Sequence, residues 1–168
     1  MNKALHELLK HSSKEALETY IQSHPPAFNQ VLKLALDPDS PVSWRAAWMV
    51  STCMRERDPR VTKYSGEFIA RLRKTTDGQQ RELLNILAKL DIQEDEEGLL
   101  FDECVRIWEQ TSRIASVRYA AFRILFNMAQ KYPELMHELT LLTESDYTDS
   151  LSPAIRKGVL KMMQEKGN

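Results

Sequence analysis

The sequence predicts an all-α fold assembled from antiparallel helix hairpins. Three observations carry this expectation. Apolar residues recur at helical spacing through most of the 168 residues. Pro25, Pro26, Pro41, Pro59, Pro133 and Pro153 each fall where a helical pattern begins, the place where a residue without an N–H costs least. No alternating Val/Ile/Thr run bounded by glycine turns is present, so strand signals are absent.

Taken in order, Ala4, Leu5, Leu8 and Leu9 begin a short first helix that stops near His11-Ser12-Ser13. Ser13 opens a second, with Ala16, Leu17, Tyr20 and Ile21 on its apolar side, ending at His24-Pro25. Phe28, Val31, Leu32, Ala35 and Leu36 make the third. The fourth, residues 41–57, is the helix around which the chain is organised. The turn Asp37-Pro38-Asp39-Ser40 announces it, with Asp and Ser available to cap its free N–H groups. Val42, Ala46, Met49, Val50 and Cys53 share one side, Trp44 and Trp48 another, and only Arg45, Thr52 and Glu56 form a polar strip. A helix apolar over most of its circumference is an interior helix. Trp44 and Trp48 are therefore expected to fill space against a neighbouring hairpin; the alternative is a stacking platform for a base or peptide.

Asp58-Pro59 starts the fifth helix, through Val61, Tyr64, Phe68, Ile69 and Leu72. Asp77-Gly78 breaks the chain before the sixth, with Leu83, Leu84, Ile86, Leu87 and Leu90. An acidic turn at residues 91–97 leads into the seventh, with Leu99, Leu100, Cys104, Ile107 and Trp108. The eighth, residues 114–132, carries Val117, Ala120, Ala121, Ile124, Leu125 and Met128 at close to ideal spacing. Pro133 opens the ninth, with Leu135, Met136, Leu139 and Leu142, and Pro153 the tenth, with Ile155, Val159, Leu160 and Met163. The short linkers make successive helices antiparallel.

Composition excludes several classes. Hydrophobic residues are 42% and charged residues 28%, an ordinary globular balance in a chain long enough to bury its own core. A net charge of −1 argues against a surface that binds nucleic acid throughout. Charge is nonetheless uneven: residues 55–81 hold eight basic and four acidic side chains, and residues 91–103 seven acidic and no basic ones. Solvated faces are the plain reading; two opposed patches that steer a partner, or a second copy of the chain, are the functional one. Cys53 and Cys104 lie in apolar patterns and read as buried thiols. The first residues carry His, Glu and Lys where a signal peptide needs an apolar run, and the longest apolar run, residues 46–50, is far short of a span. The expectation is a cytoplasmic protein with no membrane partner.

The chain repeats itself. Alternate helices start near Pro41, Gly78, Ile114 and Ser152, at intervals of 37, 36 and 38 residues. Near each start lies an arginine, Arg45, Arg81, Arg118 and Arg156, at intervals of 36, 37 and 38. The local strings are Ser43-Trp44-Arg45-Ala46-Ala47, Gln80-Arg81-Glu82-Leu83, Ser116-Val117-Arg118-Tyr119-Ala120 and Ala154-Ile155-Arg156-Lys157-Gly158.

On these strings the chain resembles the HEAT-repeat proteins, whose second helices often begin Val-Arg-x-Ala-Ala after an Asp-Pro turn. The stretch from Asp37-Pro38 to Arg45-Ala46-Ala47, and Val117-Arg118-Tyr119-Ala120-Ala121, match best. The resemblance covers about residues 25–165 and implies a right-handed α-solenoid of about four to five hairpins. As a single domain, 1–168, that is a helical cap at 1–24 and helix pairs at 25–57, 58–91, 92–132 and 133–168. It further implies a non-enzymatic scaffold, with no cofactor, whose partner is another protein. In the family the arginine commonly pairs with a turn aspartate of a neighbouring repeat; Asp37 or Asp39 could serve here, while the third repeat offers Thr111-Ser112-Arg113 instead. Arg45, Arg81, Arg118 and Arg156 are thus a candidate ladder or interaction row, and Trp44 and Trp48 a candidate aromatic contact. The rival is a nucleic-acid reading. HEAT-like DNA glycosylases, which remove alkylated bases, use Trp, Asp and Arg on a basic face. The near-neutral charge and the lack of an identifiable catalytic aspartate weigh against it.

Catalytic and metal motifs do not emerge. His6 and His11 are five residues apart, about 140° around a helix, whereas the zinc motif needs four. Placing Gly98 at the sixth position of a calcium loop puts Gln93 first and Cys104 last, where Asp and Glu are required.

Overall fold

The computed structural model describes residues 3–165, and the chain forms two compact units, Met1–Ile92 and Gln93–Asn168. Among the described residues every regular element is a helix, and none is long and apolar enough to cross a membrane.

The first unit contains α1 (Lys3–His11), α2 (Lys14–Ser23), α3 (Pro25–Leu36), α4 (Ser43–Cys53), α5 (Pro59–Thr62), α6 (Ser65–Arg71) and α7 (Asp77–Leu87). The hub is α4, which packs on α1, α2, α3 and α7. Ala46, Ala47, Met49 and Val50 are fully buried there, and the small Ser43, Ala46, Ala47 and Ser51 let several helices approach one axis.

Two sequence expectations are corrected here. The helix expected over residues 41–57 ends at Cys53, because Met54 is extended (φ −74, ψ 152). Arg57 then takes a left-handed backbone (φ 54). Its N–H donates to the Lys89 carbonyl at 2.7 Å, while Lys89 Nζ donates to the Ser51 carbonyl at 2.7 Å, so the ends of α4 and α7 satisfy each other. The helix expected through Val61 and Leu72 is split, with Tyr64 (φ −110, ψ 11) between its two parts. Each part still buries its apolar side: Val61 on α5, Phe68 and Ile69 on α6.

The second unit contains α8 (Glu94–Glu109), α9 (Ala115–Lys131), a 3-10 turn (Pro133–Leu135), α10 (Met136–Leu141), α11 (Ser145–Thr148) and α12 (Pro153–Gln164). Its hub is α9, packed on α8, α10 and α12. Val117, Ala120, Ala121, Phe122, Ile124 and Leu125 are among its buried residues, and Leu100, Cys104, Ile107 and Trp108 are buried on α8. The first turn of α8 carries Glu94, Asp95, Glu96 and Glu97, which complement the positive end of the helix. A Cβ on Gly158 would lie 3.2 Å from Tyr119 Oη, so glycine lets α12 sit close to α9.

Candidate functional site

Helical spacing brings the four arginines to equivalent helix positions but into four environments. Arg118, near the start of α9, is wholly buried at 0% exposure. Its Nε donates to the Trp108 carbonyl at 2.7 Å, Nη2 to the Tyr147 carbonyl at 2.6 Å and Nη1 to Ser150 Oγ at 2.8 Å. Its guanidinium carbon lies 4.7 Å from the centre of the Trp108 ring. The acceptors are two carbonyls and a hydroxyl, and the Trp108 carbonyl belongs to the negative end of α8. Burial lowers the pKa of Arg118, yet a guanidinium stays charged.

Arg45, half-buried on α4, donates from Nη2 to the Ser12 carbonyl at 2.8 Å, tying α4 to the turn between α1 and α2. Asp37 does not reach it: its Oδ1 accepts the Asp39 N–H at 3.0 Å, closing the turn locally. The ladder partner expected at Asp37 or Asp39 is therefore replaced by a backbone carbonyl. Arg81 pairs with the adjacent Glu82 at 3.0 Å, and Arg156 with Asp149 at 3.0 Å on the surface.

The guanidinium carbon of Arg45 lies 5.8 Å from the Trp44 ring centre and 5.6 Å from that of Trp48. Arg45 Nε is buried without a hydrogen-bond partner. Trp48 is half-buried, but Trp44 is 50% exposed, so the expectation of two core tryptophans is corrected for Trp44. The fully buried tryptophan is Trp108, whose Nε1 donates to the Leu142 carbonyl at 2.7 Å.

Several polar side chains that tie helices together carried no sequence motif. Arg71 Nη1 donates to the Ala35 carbonyl at the end of α3, and Gln79 Nε2 to Ser43 Oγ at 2.8 Å. Asp58 is 2% exposed and caps α5. It accepts Arg60 Nη2 at 2.7 Å and Nε at 3.0 Å, the Arg60 N–H at 3.1 Å and the Arg55 N–H at 3.2 Å. The Arg60 side chain, outweighing the cost of burial, holds the Asp58 carboxyl at a pKa of about 2 against an ordinary 3.8. A depressed carboxyl pKa stabilises the fold above the unfolded value, and the gain is lost as pH falls from 3.8 towards about 2. Asp58→Asn is expected to cost about 2 kcal/mol at pH 7. Urea denaturation of both proteins at pH 7 and again near pH 2.5 measures this. The gap should narrow in acid; a gap of constant size would show that the charge of Asp58 contributes nothing.

Two concavities bear on function. In the first unit a cleft of about 450 Å³ is lined by Glu18, Gln22, Phe28, Cys53, Arg55 and Arg60. Arg60 stacks on Phe28 at 3.8 Å, so this cation is already held on both sides, by the ring and by Asp58. The thiol of Cys53 is pushed up by burial and by the charge of Glu18, and that of Cys104 is pushed up by burial first and by Glu103 second, so both are protonated at neutral pH.

In the second unit a groove of about 330 Å³ runs between α8, α9 and the turn before α10. Phe101, Met128, Tyr132 and Leu135 give it an apolar lining, and Glu94, Glu97 and Asp102 are acidic. Glu97 accepts Lys131 Nζ at 2.6 Å and Tyr132 Oη at 2.5 Å. Burial raises its pKa, but these two bonds outweigh burial and keep it below the usual carboxylate range. Gly98 also lines the groove, and a Cβ there would meet nothing within 4 Å. Glycine inside a helix costs about 1 kcal/mol relative to alanine. Packing within the unit does not require it.

Among the described residues no group of three or more His, Cys, Asp or Glu side chains is placed to hold a metal ion. His11 lies 3.4 Å from Glu7, and His24 stacks on Tyr20 at 4.4 Å.

Paired helices centred on α4 and α9, with an arginine at the same place in each repeat, define a helical-hairpin repeat protein. The HEAT repeat domain matches residues 1–166, and the chain belongs to this family. No curated protein and no solved structure matches it.

Proposed function

We propose that the chain is a non-enzymatic interaction scaffold whose partners are other proteins, working in the cytoplasm. The observation that carries this reading is where the recurrent arginines go. Arg45 and Arg118 bind backbone carbonyls, Arg81 binds the buried carboxylate of its neighbour Glu82, and Arg156 binds the surface carboxylate of Asp149, so each already holds a partner within its own unit. A substrate site would need cationic and acid–base groups aimed at a shared space. Arg45 and Arg118 are then structural ties, and binding falls to the exposed helix faces of each unit. Cys53 and Cys104, both free thiols, support the cytoplasmic assignment.

The test is affinity capture with the tagged chain, mass spectrometry, and reconstitution of each candidate complex from purified components. A complex of fixed stoichiometry is expected. If no captured protein rebinds when purified, the scaffold reading fails.

One observation favours a second reading. Trp44 is half exposed beside a cation, the arrangement of a stacking platform for nucleic acid. Binding of single-stranded DNA at low salt that collapses on adding salt, and that Trp44→Ala abolishes, would establish it over the first.

A further inference from the structure

We infer that the groove of the second unit receives a basic amphipathic segment of a partner protein, an apolar side chain flanked by lysine or arginine. The inference deepens the scaffold reading and rests on it. Three features point to that occupant. The lining of Phe101, Met128, Tyr132 and Leu135 offers an apolar seat large enough for a bulky side chain. Glu94 and Asp102 are both exposed, and among the described residues the basic side chain bound to a lining carboxylate is Lys131, held by Glu97. An apolar seat with this rim complements an apolar anchor between cations and repels an acidic segment. Gly98 opens the floor: it is a helix-interior glycine that the fold does not need, and it leaves open space where a side chain would otherwise project. A partner's chain can approach the backbone of α8 there.

The chemistry also separates the contributions of the parts. The apolar lining supplies the burial that holds the anchor, and the carboxylates supply orientation and salt-dependent attraction. Filling the groove should abolish binding without disturbing the fold, because position 98 faces open space. Reversing the rim should weaken binding and remove its salt dependence.

The probe is a fluorescein-labelled 14-residue peptide with leucines at i, i+3, i+4 and i+7 and lysines elsewhere, read by fluorescence anisotropy against the full chain. Its counterpart replaces every lysine by glutamate. The lysine peptide is expected to bind at least tenfold more tightly than the glutamate peptide. Gly98→Leu should weaken it at least tenfold while melting at or above the wild-type temperature. Glu94→Lys with Asp102→Lys should weaken it as much, and Glu109→Lys, on α8 but outside the groove, should leave it within twofold. Equal binding by wild type and Gly98→Leu would overturn the assignment, as would equal binding of the two peptides. Sedimentation that shows a dimer lost on Gly98→Leu would also overturn it, because a second copy would then occupy the groove. If reconstituted partners bind Gly98→Leu as well as wild type, the groove assignment fails while the scaffold reading stands.

Discussion

Replacing Arg118 by glutamate is expected to unfold the second unit, at a cost of at least about 4 kcal/mol. Arg118 is fully buried and donates to Trp108, Tyr147 and Ser150, which lie on α8, on α11 and just after it. Removing one side of a buried charged hydrogen-bond network costs about 3–5 kcal/mol, because the groups left behind cannot reach water. Glutamate does worse than remove the donors: it places an anion against two carbonyls, one at the negative end of α8. Arg118→Lys should cost about 2–3 kcal/mol, since one ammonium cannot reproduce a planar fork aimed at three acceptors. Arg57→Glu is the contrast. Its side chain is exposed, and its effect should stay within about 0.5 kcal/mol. Urea denaturation followed by near-ultraviolet circular dichroism reads all three. An Arg118→Glu protein that melts like wild type would show that the three bonds contribute nothing to stability.

Trp108→Ala should be as damaging, at about 3–5 kcal/mol. The ring is fully buried, tilts against Phe122 with centres 4.7 Å apart, and carries the Arg118 guanidinium over its face. Its N–H satisfies the Leu142 carbonyl, so truncation opens a cavity and strands an acceptor together. Trp108→Phe separates these effects: most of the ring stays, the donor goes, and about 1–2 kcal/mol should be lost. The two sites touch, so the loss in Trp108→Ala/Arg118→Lys should fall short of the sum of the single losses by about 0.5 kcal/mol or more, an amount typical of contacting residues. Additive losses would mean that ring and cation do not interact.

Much of this architecture is legible in the sequence. The spacing of Val117, Ala120, Ala121, Ile124 and Leu125 locates α9, and Pro25, Pro59 and Pro153 mark the starts of α3, α5 and α12. The 36- to 38-residue period singles out Arg118 by position alone. The partner of each arginine is not legible in the same way. Carbonyls such as those of Ser12, Trp108 and Tyr147 belong to every residue and leave no mark in the sequence. At Arg45 the acceptor is the Ser12 carbonyl, while Asp37 closes its own turn. The end of α4 escapes a periodicity argument for a related reason. Residues 54–57 suit a helix, but the Asp58 carboxylate takes the Arg55 N–H into a separate cap. Trp44 departs from expectation because a count of apolar positions around a helix does not say where its neighbours stop. The groove is illegible because it joins Gly98 and Phe101 to Met128 and Leu135, about thirty residues on, and its depth depends on a side chain that glycine lacks.

The buried guanidinium also sets how the chain can be divided. Arg118 draws its acceptors from both sides of itself in sequence, Trp108 ten residues before and Ser150 thirty-two after. A fragment holding α8 and α9 alone looks like a complete helix pair, yet it would keep one of the three acceptors of Arg118. The shortest separable piece of the second unit therefore runs through Ser150. A repeat excised at the apparent hairpin boundary after Tyr132 takes the arginine without the segment that accepts two of its three hydrogen bonds.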